Sequence, residues 1–128
     1  MAIVLDASAL LTALRGEPGA ERVQASLDGA VMSTVNLAEV AGHYARAGAR
    51  REDIADLLAG LPIIFAEPDE ALAIDAGVMR RLTDRAGLSL GDRFCLALAK
   101  RSGARALTAD RAWKALGAIL GVEVELIR

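Results

Sequence analysis

Short apolar runs alternate along this chain with longer stretches whose apolar residues return every three or four positions. Ile3-Val4-Leu5 is continuously apolar and predicts a strand over residues 2–6. A helix is predicted over 7–14, stopping near Gly16, and a second from Pro18 to Leu27 with Pro in its first turn. Residues 30–34 read as a strand, followed by a helix from Asn36 to Ala47 that Gly48 ends. Glu52 to Ala59 has the pattern of a short amphipathic helix, and Leu61 to Ala66 that of the third strand. From Asp69 to Arg85, Leu72, Ile74, Val78, Met79 and Leu82 predict the longest helix. The remainder predicts helix 91–101, strand 104–109, helix 110–116 and strand 122–127.

Strands that alternate with helices need crossover connections, and these produce a mostly parallel sheet covered on both faces. The expected fold class is therefore α/β, with about five strands. No linker, repeat or low-complexity segment divides the chain, so residues 1–128 are expected to be a single domain. That length buries roughly two-thirds of the unfolded surface. With 54% hydrophobic and 25% charged residues the chain is globular, and with only 3% aromatics its core is built from Ala, Leu, Val and Ile. A net charge of −2 offers no global attraction to nucleic acid or membranes. Local cations would have to supply it, and nearly all the basic residues are Arg, whose planar fork suits phosphate. Cys95 stands alone in an apolar run, which excludes an internal disulfide and suits a buried position. The N-terminus lacks a basic leader and no apolar run approaches the ~20 residues of a membrane span. A cytoplasmic protein is expected.

Asp6, Glu39, Asp92 and Asp110 each stand where a short apolar run or a glycine gives way to a helical pattern. In a parallel α/β sheet, strand carboxyl ends and the helix starts that follow share the edge where ligands bind. Singly, each acid reads as a helix cap, and Asn36 to Glu39 and Ser89 to Asp92 both resemble capping boxes. Jointly they do not. Ser, Thr or Asn would cap as well, whereas a hard divalent cation requires several charged oxygens. Four carboxylates on one edge repel one another unless a cation sits between them. Ser8 and Thr108 stand close enough in sequence to orient the ligands.

The segments Ile-Val-Leu-Asp6-Ala-Ser8, Asn36-Leu-Ala-Glu39, Leu-Gly-Asp92-Arg-Phe-Cys-Leu-Ala and Leu-Thr108-Ala-Asp110-Arg-Ala-Trp113 together resemble the PIN domain. Within that family the chain is most similar to the VapC-type toxins of bacterial toxin–antitoxin pairs. The resemblance implies a three-layer α/β/α fold. It also implies a Mg²⁺- or Mn²⁺-dependent endoribonuclease whose metal ligands are Asp6, Glu39, Asp92 and Asp110. Ser8, Asn36 and Thr108 would support the site, and Asn36 stands where relatives often carry Thr or Ser. Arg93 and Arg111, beside two of the acids, are candidate phosphate contacts, or solvent-exposed first-turn residues. A homodimer and a cognate antitoxin that covers the active groove are further implications.

The runner-up is a catalytically silent module of the same architecture that binds nucleic acid or protein. His43, four residues after Glu39 on the same helix, lacks a histidine partner and reads as structural or surface. Trp113 is expected to pack the last helix on the sheet. Leu37, Val40, Tyr44, Ile54, Leu57 and Leu58 crowd two short helices and predict a surplus apolar face for the antitoxin.

Overall fold

The computed structural model of the chain describes residues 2–128. Five strands form one sheet: β1 (Ile3–Leu5), β2 (Val31–Ser33), β3 (Ile64–Ala66), β4 (Arg105–Thr108) and β5 (Val124–Leu126). Their order is β3-β2-β1-β4-β5, and every pairing is parallel. Val4 lies opposite Ala106, and Ala106 opposite Val124; the next position pairs Leu5 with Leu107. Side chains alternate across a strand, so Val4, Ala106 and Val124 enter one apolar layer while Leu5, Met32 and Leu107 enter the other. Helices α1 (Ala7–Arg15), α2 (Ala20–Gln24), α3 (Thr34–Arg46) and α4 (Arg51–Ala59) cover the second face. The first is covered by α5 (Glu70–Val78), α7 (Leu90–Ser102) and α8 (Trp113–Leu120), with the short α6 (Arg80–Thr83) against α8. This is the three-layer α/β/α arrangement expected from the alternation of elements.

From β1 the chain steps outward to β2 and β3, and then α5, α6 and α7 return it to β4 on the opposite side of β1. Strand order therefore reverses between β1 and β4. A crevice opens outside the carboxyl ends of such a pair, and ligands bind there in open α/β sheets.

The predicted longest helix, Asp69 to Arg85, is broken instead into α5, α6 and a 3₁₀ turn over Asp84–Ala86, so α3 and α7 are longer. The carbonyl of Met79 accepts from Leu82 N (3.0 Å), Thr83 N (3.1 Å) and Thr83 Oγ1 (3.0 Å), which tightens the backbone into a turn. The apolar residues that suggested one helix serve two surfaces. Leu72 and Met79 are buried, whereas Ile74, Val78 and Leu82 stay exposed. The last helix starts at Trp113 rather than Asp110, because Asp110 turns the chain, and it runs past the expected stop at Leu116. Gly117 is not a stop but a contact point, since a Cβ there would meet Val122 O at 2.7 Å. Trp113 is fully buried among the side chains of the first face, as expected, and Cys95 is buried too. The surplus apolar set on α3 and α4 divides. Val40, Ile54 and Leu58 belong to the core, Leu37 and Tyr44 are half-buried against it, and Leu57 is exposed.

Candidate metal centre

All four predicted acids line one cleft of about 490 Å³ at the carboxyl edge of the sheet. Each arrives by a different route. Asp6 ends β1 and continues its ladder, donating its N–H to Leu107 O at 3.0 Å. It occupies the N-cap position of α1, but its side chain caps nothing. Oδ2 instead accepts from Ser8 Oγ (2.6 Å) and Thr108 Oγ1 (2.9 Å). Those hydroxyls are themselves held, because Ser8 Oγ accepts from Ala109 N and Thr108 Oγ1 from Asp110 N. Asp110 lies one strand across, where its Oδ1 accepts from Ala112 N at 3.0 Å and turns the chain toward α8.

Glu39 projects from α3. That helix starts earlier than predicted, with Ser33 as its cap, so Asn36 and Glu39 lie inside it and form no capping box. Asn36 is fully buried, and its amide Nδ2 donates to Glu39 Oε1 (2.8 Å) and to Gly91 O (3.0 Å). One side chain thus ties Glu39 to the first turn of α7. Asp92 does form the predicted capping box with Ser89, and it also faces the cleft. Capping and site membership are compatible for this residue.

Asp6 is only 4% exposed, and burial pushes its carboxyl up to about 6, with Asp92 and Glu39 adding repulsion against the partial relief from Ser8 and Thr108. Burial also raises Glu39 and Asp92, and Asp92 feels the charge of Asp110. Among the described residues, Asp6 Oδ1, Glu39 Oε2, Asp92 Oδ1 and Asp110 Oδ2 accept no hydrogen bond. Each acid is therefore fixed through one oxygen and free through the other. As the side chains stand, no three acids of the described residues converge closely enough to enclose an ion. The donor set nevertheless fits a hard divalent cation in kind: four carboxylates, with Asp6 desolvated and repelled by Asp92 and Glu39.

Gly91 was not singled out from the sequence, although it carries part of the geometry. A Cβ at Gly91 would overlap the Glu39 carboxyl, with Cδ at 2.5 Å. The bare backbone lets that carboxyl rest on α7 beside Asp92. His43, read from the sequence as structural or surface, and Arg46, unassigned there, line the cleft beyond Glu39. Their positions four and seven residues after it put them on the same helix face, a spacing visible in the sequence. Arg93 turns aside, with Nη1 3.4 Å from Ala76 O. Arg111 is exposed, and no hydrogen bond or ion pair engages its guanidinium among the described residues.

Residues 3–119 match the PIN domain family. This chain belongs to the PIN domain family. It is 34% identical over 110 residues to the VapC ribonuclease Mb0640 of Mycobacterium bovis and to ribonuclease VapC30 of Mycobacterium tuberculosis, covering 79% of this chain and 84% of each relative. The DNA-bound VapBC structure from Salmonella typhimurium aligns with a TM-score of 0.76 at 19% identity over 100% of this chain and 99% of that one. VapC20 of Mycobacterium tuberculosis, described as a Sarcin-Ricin loop cleaving toxin, aligns with a TM-score of 0.74 at 20% identity, covering 90% and 95%. At such identities these structures establish the PIN fold.

The Asp6 shift makes metal-free stability depend on pH. Between about pH 4 and pH 6 the native state holds a proton that the unfolded chain has lost, so stability in EDTA falls as pH rises through that window. Asp6→Asn removes the Asp6 share of the fall and leaves those of Glu39 and Asp92. Denaturation titrations are expected to show the variant gaining about 3 kcal/mol on wild type by neutral pH, and parallel profiles would mean the carboxyl is not desolvated. Gly91→Ala separates site from fold, because the atoms it displaces are the mobile end of Glu39. Its melting temperature should hold in EDTA while the rise produced by Mn²⁺ shrinks; an unchanged rise would remove Glu39 from the metal set.

Proposed function

We propose that this chain is the RNA-cleaving toxin of a toxin–antitoxin pair, acting in the cytoplasm. It hydrolyses phosphodiester bonds with Mg²⁺ or Mn²⁺ held by Asp6, Glu39, Asp92 and Asp110. The observation that carries the reading is the gathering of these four carboxylates at the β1–β4 switch point, each with one oxygen free. Its support is that the relatives at 34% identity are named VapC ribonucleases. Bound there, a divalent cation supplies Lewis-acid polarisation of the scissile phosphate and an activated water. The chain's own residues prepare that chemistry. Ser8 and Thr108 fix the orientation of Asp6, Asn36 fixes that of Glu39, and the capping box holds Asp92. Arg111, exposed and next to Asp110 in the chain, is the candidate phosphate contact on that side. All four acids are present, which favours catalysis over a silent binding module.

Asp6→Asn retains size and accepts the same hydroxyl hydrogen bonds but removes the charge. RNA cleavage with Mg²⁺ or Mn²⁺ is expected to fall at least about a hundredfold in a folded Asp6→Asn protein, the scale of losing one key electrostatic group. EDTA should abolish wild-type cleavage. Undiminished cleavage by the variant would sink the mechanism.

Two surfaces suit protein partners. Leu37, Ala41, Ala45, Ile54, Ala55 and Leu58 line an apolar cleft between α3 and α4, and Gly42 borders both this cleft and the acid cleft. An amphipathic antitoxin helix laid there passes directly into the site. The structural neighbours include VapBC complexes, which supports an antitoxin partner. On the opposite face, Ile74, Val78 and Leu82 follow one another at four-residue intervals beside exposed Ile119, with Asp75 and Lys100 on the same rim. An isologous interface needs a self-complementary face, which an apolar centre ringed by both signs of charge supplies, and we assign this face to a homodimer. Ala45→Asp is expected to lose antitoxin binding and stay dimeric, and Val78→Asp to become monomeric and still bind antitoxin. Light scattering and titration calorimetry read both, and loss of neither property would place the interfaces elsewhere.

A further inference from the structure

The acid cleft has a cationic rim on its α3 side. His43 and Arg46 line the cleft together with the four acids, and they follow Glu39 along one face of α3 at about 6 Å and about 10 Å of helix rise. Between them and Glu39 the floor is bare, because a Cβ at Gly42 would meet nothing within 4 Å. Arg15, ending α1, brings its Nη1 to 3.4 Å from His43 Nε2 and pairs loosely with Glu17 at 3.7 Å. Arg46 is exposed, and no hydrogen bond or ion pair holds its guanidinium among the described residues. His43 and Arg46 thus stand in the cleft lining beyond Glu39, with Arg15 behind His43.

An RNA strand entering this cleft meets four carboxylates that repel its phosphates, and the net charge of −2 offers no compensating field. Attraction has to be local. Arg93 is committed to Ala76 O and contributes little. Across the sheet edge the order is α3 after β2, then Asp6 after β1, then Asp110 and Arg111 after β4. Arginines therefore flank the acids on both sides, with Arg111 on one and Arg46, beside His43, on the other. We infer that the Arg15–His43–Arg46 rim binds the RNA phosphate backbone on the α3 side of the scissile bond, so that the strand lies across the sheet edge between two cationic anchors. Arg46 and His43 contact phosphate, and Arg15 positions His43. Such contacts fix where the strand lies and carry no base preference. The inference rests on the nuclease reading and adds the path of the substrate.

Binding of a short fluorescein-labelled single-stranded RNA in the Asp6→Asn background tests it, by anisotropy with Mg²⁺ present and from about 50 to about 200 mM salt. Arg46→Ala is expected to raise Kd about tenfold, as loss of a charged hydrogen bond does. The slope of log affinity against log salt should fall by about 0.7 for the lost phosphate contact. Arg46→Lys should restore most of the affinity, since lysine remains a point charge for phosphate. In otherwise wild-type protein, Arg46→Ala should raise KM while kcat stays within about twofold. His43→Gln should act in the same direction more weakly. Folded variants with unchanged Kd and salt slope would overturn the inference, as would a loss confined to antitoxin binding. Absence of metal-dependent cleavage by wild type, with Arg46→Ala still weakening RNA binding, would fell the nuclease reading and leave the rim as a phosphate site.

Discussion

Burying the Asp6 carboxyl at the junction of β1 and β4 is the constraint on which this site depends. Removing an ionised carboxylate from water is costly unless hydrogen bonds replace its hydration. Here the replacement comes from Ser8 Oγ and Thr108 Oγ1, which are held in turn by the backbone N–H groups of Ala109 and Asp110. The mesh works only while β1 and β4 lie side by side in register, so strand pairing and site geometry are one condition. The hydrogen bonds do not offset the burial fully, as the raised Asp6 shows, and the charges of Asp92 and Glu39 act in the same direction. Electrostatic tension of this kind is released by a cation, and on the proposed function this links the fold to the metal.

Helix α3 distributes the consequences. Val40 anchors it in the core, and buried Asn36 ties it to Gly91 at the start of α7. With those two contacts set, the remaining faces are assigned by the 3.6-residue repeat. Glu39, Gly42, His43 and Arg46 look into the acid cleft, while Leu37, Ala41 and Ala45 look toward α4. Gly42 belongs to both, so the apolar cleft and the acid cleft run into each other with no side chain between. On the proposed function, substrate and protein partner approach the acids over the same short stretch of α3, so that occupation by one hinders the other. Helix α7 is divided lengthwise: Gly91 and Asp92 serve the site, and Cys95 to Ala99 are buried in the core.

Local patterns determined most of the architecture. Apolar runs located all five strands to within a few residues, and their alternation with helices was enough to require a parallel sheet. The positions of Asp6, Asp92 and Asp110 at element boundaries brought them to one edge, because in a parallel sheet every strand points its carboxyl end the same way, and Glu39 reaches that edge from inside α3. Residues that touch only their sequence neighbours were also legible, such as the Ser89–Asp92 capping box. Where a pattern served two surfaces at once, as with Leu72 and Val78 in the 69–85 segment, periodicity merged them into one helix that the fold divides.

Other features followed from contacts between residues far apart in the chain. That Asp6 alone is deeply desolvated, while Glu39 and Asp110 stay open to solvent, depends on hydroxyls about a hundred positions apart meeting across β1 and β4. Gly91 matters because the Glu39 carboxyl comes to rest on it, and nothing within either segment announces that approach. Arg93 and Arg46 carry the same charge, yet one bonds Ala76 and the other rims the cleft, since helix packing sets which face each presents. Sequence spacing determines direction along an element, a local property of the backbone. Burial, pairing and proximity depend on which elements pack together, and only the assembled tertiary structure decides them.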